Sequence, residues 1–301
     1  MTPLVHIILV NWNGLDDTRA CVESCLGLAY ERFEVVLVDN ASADGSGQVL
    51  ATEYADEDRV CVLLNGTNLG FAGGNNTGIT HALAAGADFV WLLNNDTFVD
   101  PHALSALVDA ATEHPEAGMF GSKVYFADRP ATLWFAGGFI RDTREGSVYH
   151  RGLEEEDRGQ YDTAEVVDYI TGCSLLVSTD LVRSIGTMSE DYFLYWEEVD
   201  WCDRATAAGR PCLYVPASKV WHKVGASLGA TNSPTQIRYD ARNRLIFYWR
   251  NRRRAFPRIW LWFNRQVLGF ALHRRRGRDA LIMLHAEADF FTGKRGPIRV
   301  R

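Results

Sequence analysis

The 301-residue chain has no Cys-x-x-Cys pair and no cysteine–histidine spacing of a zinc module. Its six cysteines, Cys21, Cys25, Cys61, Cys173, Cys202 and Cys212, are scattered along the chain. They read as reduced, mostly buried thiols of a cytosolic protein, not as a disulfide or metal framework. No run reaches the roughly 20 apolar residues that a membrane-spanning helix needs. The opening MTPLVHIILVNWNG lacks a basic leader and a small-residue cleavage site, and is expected to be a buried strand instead of a signal peptide. No strand-like run is followed by G-x-G-x-x-G, which excludes a nicotinamide-linked dehydrogenase, and nothing matches the Walker pattern. The first strand lacks the Gly-rich, basic signature of a sugar-phosphate nucleotidyltransferase. Repeats and low-complexity segments are absent. The length suffices for one large or two small domains with an ample core.

Charge is present but unevenly spread. Of 31 Lys and Arg and 38 Asp and Glu, residues 236–301 hold 17 and four, leaving 14 bases and 34 acids for residues 1–235. A basic tail on an acidic body predicts an anionic partner for the tail.

The first hundred residues alternate between apolar runs, at 4–10, 33–38, 60–64 and 89–93, and helical stretches. Cys21, Cys25 and Leu28 share one face of the first helix; the others are expected at 44–55 and 75–85. Continuous apolar runs separated by helices indicate parallel strands covered on both faces, a βαβ series. The fold class is therefore α/β, with a nucleotide-binding-like first half. Further on we expect a helix at 101–114 with Pro101 in its first turn, and a strand at 118–126. An irregular stretch follows at 127–165, whose acidic run from Glu154 to Asp157 is a solvated loop. Then come one strand at 166–178, a helix near 180–185, a helix stopping at Gly209, and short strands at 211–216 and 218–222. The boundaries drawn are 1–100 for the nucleotide half, 101–234 for the acceptor half, and 235–301 for a basic, aromatic-rich helical extension.

Ligands of open α/β sheets lie beyond the carboxyl ends of the strands. All four runs end in polar residues: Asn11-Trp12-Asn13, Asp39-Asn40, Asn65-Gly66-Thr67-Asn68 and Asn94-Asn95-Asp96. Any one of these is ordinary turn chemistry; the four together indicate a site. Asp39 can accept the ring N–H of a pyrimidine. The glycine-rich NLGFAGGNNTGI, residues 68–79, lets backbone approach a ligand ahead of a helix N-terminus. Asp96, at the end of a buried strand, suits Mg2+ or Mn2+, which take one or two carboxylates and share phosphate oxygens; it equally suits a helix cap. Glu197 and Glu198 follow an aromatic run. They are either a favourable pair at a helix N-terminus or a general base with its neighbour. His222 closes a strand and becomes a metal ligand only if the fold brings it to Asp96.

In this order, VNWNG, VDNASADGS, NLGFAGGNNTGI, WLLNNDT, DYITGCSLLV, DYFLYWEEVDWC and VWH resemble the family-2 glycosyltransferases, and most of all their rhamnosyltransferase-like branch, over about residues 1–225. The resemblance implies a GT-A fold, a mostly parallel sheet flanked by helices. It implies inverting transfer of rhamnose or another hexose from a dTDP- or UDP-sugar to a saccharide acceptor in polysaccharide or glycoprotein glycan assembly. It places Asn11, Asn13, Asp39, Asn68, Gly70, Asn75, Asn76, Asn94, Asn95 and Asp96 on the donor, with Asp39 reading the base. Asp96 and His222 hold the metal, and Trp196, Gly172 and Cys173 lie on the acceptor side. Glu198 is the expected base, with Glu197 as its alternative. A sugar-phosphate nucleotidyltransferase and a non-catalytic nucleotide-sugar or glycan binder remain the competing classes.

Residues 236–276 alternate aromatic and aliphatic residues with Arg clusters. A helix pair of this kind suits an anionic membrane surface, presenting a lipid-linked acceptor at the cytoplasmic face. It also suits packing on the domain or on a second subunit. Nucleic acid is excluded as partner, because no recognition motif is present and the body is acidic.

Overall fold

The structure is a computed structural model describing residues 2–141, 146–224, 233–273 and 276–298. Arg274, Arg275 and the last three residues of the basic tail lie outside them. The chain opens with β1 (Val5–Asn11), α1 (Leu15–Leu26), β2 (Phe33–Asp39), α2 (Ser46–Glu53), β3 (Val60–Leu64), α3 (Gly70–Ala84) and β4 (Phe89–Asn94). These four strands run parallel, with β1 between β2 and β4 and β3 outside β2. Their apolar runs are buried because both faces are covered: Ile7, Ile8, Leu9, Val35 to Val38 and Val90 to Leu92 are all fully buried.

Helix α3 begins earlier than 75, and the glycine-rich stretch forms its first turns instead of a loop before it. The reason is close packing. A Cβ on Gly74 would stand 2.8 Å from Val10 Cγ1, and one on Gly78 2.6 Å from Ile8 Cγ2. The glycines let α3 lie directly on β1, which outweighs their poor helix propensity.

Next come β5 (Thr97–Val99), α4 (Ala103–Glu113), β6 (Met119–Phe126), β7 (Leu133–Phe135), β8 (Gly138–Arg141), β9 (Ser147–His150), β10 (Glu165–Val167), β11 (Ser174–Ser178), α5 (Thr179–Ile185), α6 (Glu197–Ala207) and β12 (Cys212–His222). The sheet order is β10-β12-β6-β11-β4-β1-β2-β3. β11 enters antiparallel to β4 and β6, while β6 and β12 are parallel. β5 pairs with β12 and β7 with β6, and β8–β9 form a separate hairpin. A buried hydroxyl chain crosses this half. Trp91 Nε1 donates to Ser174 Oγ at 3.0 Å, and Ser174, Ser122 and Ser218 link at 2.6 and 2.7 Å.

Four expectations need correction here. Residues 127–165 contain three short strands. The acidic run is not wholly solvated: Asp157 accepts from buried Lys123 at 3.0 Å and from Tyr125 at 2.6 Å, because a buried ammonium needs a counter-charge. The expected strand at 166–178 is two, β10 and β11, parted by the bend at 168–173 that borders the site. The two expected strands at 211–222 are one, β12, with a register shift between Val215 and Lys219; Pro216, which has no N–H to donate, sits in that irregularity.

The C-terminal region is helical: the expected pair within 236–276 is α7 (Pro234–Asn251) and α8 (Phe256–Leu272), and α9 (Gly277–Phe291) follows it. Ser233 caps α7 by accepting from Gln236 N at 3.2 Å. Among the described residues no helix is long and apolar enough to cross a membrane.

Candidate active site

The carboxyl ends of β1, β2 and β4 are tied by one polar relay. Asn95 Nδ2 donates to Thr18 Oγ1 at 2.8 Å, and Thr18 donates to Asn11 Oδ1 at 2.9 Å. Asn11 Nδ2 donates to Asp39 Oδ1 at 2.7 Å and to Ser46 Oγ at 2.8 Å. Asp39 also accepts from Ser42 Oγ at 2.6 Å and Ser42 N at 3.1 Å. Asn11 is fully buried and Asp39 is 4% exposed. In this state both are occupied by the fold, Asn11 as the residue that positions Asp39.

Asn40 is the hub that sequence reading passed over. Its Nδ2 donates to Gly70 O at 2.9 Å and Asn68 Oδ1 at 3.2 Å, while its Oδ1 accepts from Leu69 N at 3.0 Å and Asn65 Nδ2 at 3.1 Å. It joins the ends of β2 and β3 to the start of α3. Asn76 points elsewhere: it donates to Met188 O at 2.9 Å and Glu190 Oε1 at 3.0 Å, and accepts from Met188 N. Asn13 is exposed and accepts from Ala43 N at 2.7 Å, which orders the loop after β2.

Two adjoining cavities lie beyond the strand ends. The first, about 290 Å³, is lined among others by Trp12, Asn40, Asn68, Gly70, Asn75 and Asn95. The second, about 430 Å³, is bordered by Trp134, Gly172, Cys173, Trp196, Glu197 and Glu198. Phe71, Asn94, Asp96 and Leu194 border both, so the chambers meet at Asp96.

At that junction His222 does come to Asp96. β5 pairs with the end of β12, placing Thr97 opposite His222, and Lys223 N donates to Asp96 O at 2.9 Å. His222 Nε2 lies 3.0 Å from Asp96 Oδ1 and 3.3 Å from Asn94 Nδ2. The Asp96 contact is short but poorly directed: Asp96 Oδ1 and His222 Nδ1 are both buried without a well-aligned hydrogen bond. Burial alone would pull the imidazole down, but the Cys173 sulfur and Asp96 oppose it and raise His222 to about 10. Burial pushes the Cys173 thiol up. An orphaned carboxylate oxygen beside an imidazole fits a hard or borderline divalent cation.

The carboxyl pair stands across the second chamber, in the first turn of α6. Glu197 is 3% exposed, and Glu198 keeps more access to the cavity. The Oε2 atoms of both are buried without a hydrogen-bond partner. Burial first, and then the charge of Glu198, hold Glu197 well above the usual carboxylate range. Burial raises Glu198 as well, against the pull of nearby backbone N–H groups. Two unsatisfied carboxyls at one helix N-terminus can hold and release a proton, which is what a general base requires. Burial also pushes His150, in the same chamber, down to about 4, so it is neutral.

The approach to this pair is strained. Phe193, Tyr195 and Trp196 have φ of 65, 67 and 77°, a left-handed conformation that costs non-glycine residues about 1–3 kcal/mol each. Helix α7 holds it. Asn243 Nδ2 lies within 2.8–2.9 Å of the carbonyls of Tyr192, Leu194 and Tyr195, and Arg242 donates to Tyr192 O at 3.0 Å. Trp196 Nε1 donates to Asp240 Oδ1 at 2.8 Å, and its ring packs 5.2 Å from that of Phe247. Trp196 thus borders the chamber while its indole is committed to α7. Thr235 and Tyr239 line the first chamber, and Gln236 and Asp240 the second. The compositional break at 234/235 therefore cuts through the wall of the site. The sequence signal that pointed to α7 was the polar Arg242-Asn243-Arg244 set directly against the apolar run Leu245 to Trp249 of the same helix.

Residues 6–181 match the family Glycosyl transferase family 2. The chain is 30% identical over 253 residues to an N-acetylglucosaminyl-diphospho-decaprenol L-rhamnosyltransferase of Mycobacterium tuberculosis, covering 76% of this chain and 79% of that one. It is 26% identical over 246 residues to a low-salt glycan biosynthesis hexosyltransferase of Haloferax volcanii, covering 80% and 74%. Among solved structures, a mannosyltransferase from Pyrobaculum calidifontis in complex with GDP-Man and Mn2+ superposes with a TM-score of 0.61 at 13% identity, over 98% of this chain and 88% of that one. S. aureus TarS 1-349 in complex with UDP-GlcNAc gives 0.62 at 16% identity, over 97% and 81%. These distant likenesses carry the GT-A fold. Together with the family match and the mycobacterial relative, they mean that the chain belongs to glycosyltransferase family 2.

Proposed function

We propose that this glycosyltransferase moves rhamnose or another hexose, with inversion, from a pyrimidine nucleoside diphosphate sugar to a hydroxyl of a lipid-linked saccharide. The observation that carries this reading is the pair of chambers meeting at Asp96, with the unpartnered carboxyls of Glu197 and Glu198 facing the second. The first chamber takes the nucleotide, with Asn68, Gly70 and Asn75 along the glycine-rich turn and Trp12 at its mouth. Asp39, positioned by Asn11, is the base reader at its edge. The second chamber takes the acceptor.

Glu198 removes the proton from the acceptor hydroxyl as its oxygen attacks the anomeric carbon. The bond from that carbon to the diphosphate oxygen breaks on the opposite face, and the nucleoside diphosphate leaves with the electron pair. Glu197, raised further by the Glu198 charge, is the less acidic partner of the pair. Asp96, with His222 beside it, would hold Mg2+ or Mn2+, which when bound stabilises negative charge on the diphosphate. His222 must lose its proton to serve as a ligand, so metal binding at this pair strengthens as pH rises. The transferase unit is residues 1–234 together with α7.

The exposed apolar side chains of α8 and α9, including Leu261, Leu268, Leu272, Leu284 and Phe291, stand among arginines. They support placing this face on an anionic membrane surface, where a lipid-linked acceptor resides.

The test is calorimetric titration of dTDP, UDP and GDP, with and without Mn2+, into wild type and Asp96→Ala. Tight, metal-dependent binding of a pyrimidine diphosphate that weakens in Asp96→Ala is expected. A folded wild type that binds no nucleotide in either condition sinks the transferase reading in favour of a binding protein.

A further inference from the structure

A cavity of about 660 Å³, larger than either chamber, opens between α7, α9 and the segment after α9. Four permanently charged side chains line it: Arg238 and Arg242 from α7, Arg278 from α9, and Lys294. Against them stands one carboxylate, Asp289, which binds Arg238 Nη2 at 2.6 Å and Lys294 Nζ at 3.1 Å. Four cations against one anion leave three net positive charges in a concave space, where they reinforce one another. Arg242 is 1% exposed, and its guanidinium is fixed by donation to Gly296 O at 2.8 Å and Tyr192 O at 3.0 Å. Arg278, at the mouth, has no ion-pair partner among the described residues.

His285 also lines it, and the remaining wall is apolar, from Pro234, Leu281, Ile282, Pro297 and Ile298. Leu281 is 54% exposed and belongs to the same stripe of α9 as Leu284 and Phe291. The apolar wall of the cavity is therefore continuous with the apolar surface of the helix. No Trp, Tyr or Phe among the described residues lines the cavity. A phosphate attached to alkyl chains satisfies both walls: its oxygens meet the guanidinium and ammonium donors, and its chains run out over Leu281.

We propose that this cavity is a binding site for the phosphate headgroup of an anionic lipid. It lies off the acceptor chamber. Pro234, Arg238 and Arg242 face it, whereas Gln236 and Asp240 face the acceptor chamber, and at 100° per residue these are opposite sides of α7. The site anchors and orients the helix that clamps the 192–196 segment; it does not hold the reacting sugar. The proposal goes beyond the membrane-facing reading of the extension and is independent of the transfer reaction.

The test uses the full chain and the short-chain lipid dihexanoyl phosphatidic acid, in monomeric form, with dihexanoyl phosphatidylcholine and inorganic phosphate as comparisons. Calorimetry should show one saturable site for the phosphatidic acid, at least tenfold tighter than for either comparison. Arg278→Ala/Lys294→Ala, both on exposed positions, should weaken it about tenfold, with thermal unfolding and nucleoside diphosphate binding unaltered. Absence of saturable binding by wild type, or equal binding by the double variant, overturns the proposal. Inorganic phosphate binding as tightly as the lipid means an adventitious ion only, and overturns it too. Nucleotide titrations on the same samples keep the outcomes apart: lipid binding without nucleotide binding removes the transferase reading and leaves this site standing.

Discussion

The two chambers are built from similar polar residues in opposite states. Around the first chamber Asn11, Asp39 and Asn40 are hydrogen-bonded through both polar atoms of the side chain, and Asn95 donates to Thr18. In the second chamber Glu197 and Glu198, and at the junction Asp96, carry buried oxygens with no well-directed partner. A saturated polar group holds the frame rigid. An unsatisfied one is unstable in the apo fold and becomes favourable only when a proton, cation or hydroxyl arrives. The difference separates residues that hold the crevice in shape from residues left with unsatisfied oxygens inside it.

The sharpest way to break this contrast is Glu198→Gln. Loss of the base should lower kcat by about 10³, with nucleotide affinity kept. Stability at neutral pH should hold or rise by on the order of 1 kcal/mol, since a buried, poorly partnered charge is removed. A coupled transfer assay and urea unfolding together check it; a destabilised Glu198→Gln protein would place the residue with the frame. Next in size, Asp96→Ala should weaken metal-dependent nucleotide binding by about 10²-fold, and EDTA should have a similar effect on wild type.

Asn11→Ala should do the reverse of Glu198→Gln. It strips partners from Asp39, Ser46 and Thr18 and should cost about 2–3 kcal/mol of stability in urea unfolding, with kcat little changed in the folded fraction. Asn243→Ala, which frees three carbonyls of the strained 192–195 segment, should cost about 2 kcal/mol and raise KM for the acceptor more than for the donor. The smallest effect is on pH dependence. A carboxyl raised in the folded protein is neutral at low pH, so activity should fall as pH drops through that raised value. The acid limb of the rate profile should therefore lie above the ordinary Glu value of about 4.3. Glu197→Gln should leave that limb in place, because burial and not a Glu197 charge raises Glu198, and Glu197, raised further, is still neutral while Glu198 ionises; a limb that moves down by a unit or more would mean that a Glu197 charge acts on the base.

Much of the fold was legible because its signals are local. Four apolar runs between helical stretches led to the parallel strands β1 to β4, and their polar ends led to the crevice. The start of α3 was misplaced because glycine's reason for being helical, the 2.6–2.8 Å approach to Ile8 and Val10, lies in another element. The break between β10 and β11, the continuity of β12 and the committed Asp157 escaped for the same reason. Asn40 and Asn76 look alike in sequence, yet one organises the donor wall and the other is bound to Met188 and Glu190.

By itself the sequence determined the α/β class and the family through the serial order of its motifs, and it marked the polar strand ends that line the first chamber. These depend on periodicity, turn chemistry and residue order, which belong to the chain before it folds. Only the tertiary structure decided that His222 meets Asp96 from 126 residues away, that the Oε2 atoms of Glu197 and Glu198 are both buried and unsatisfied, and that α7 walls both chambers. Each of these depends on which surfaces exclude water from which charges, and that follows from the packing of elements distant in the chain.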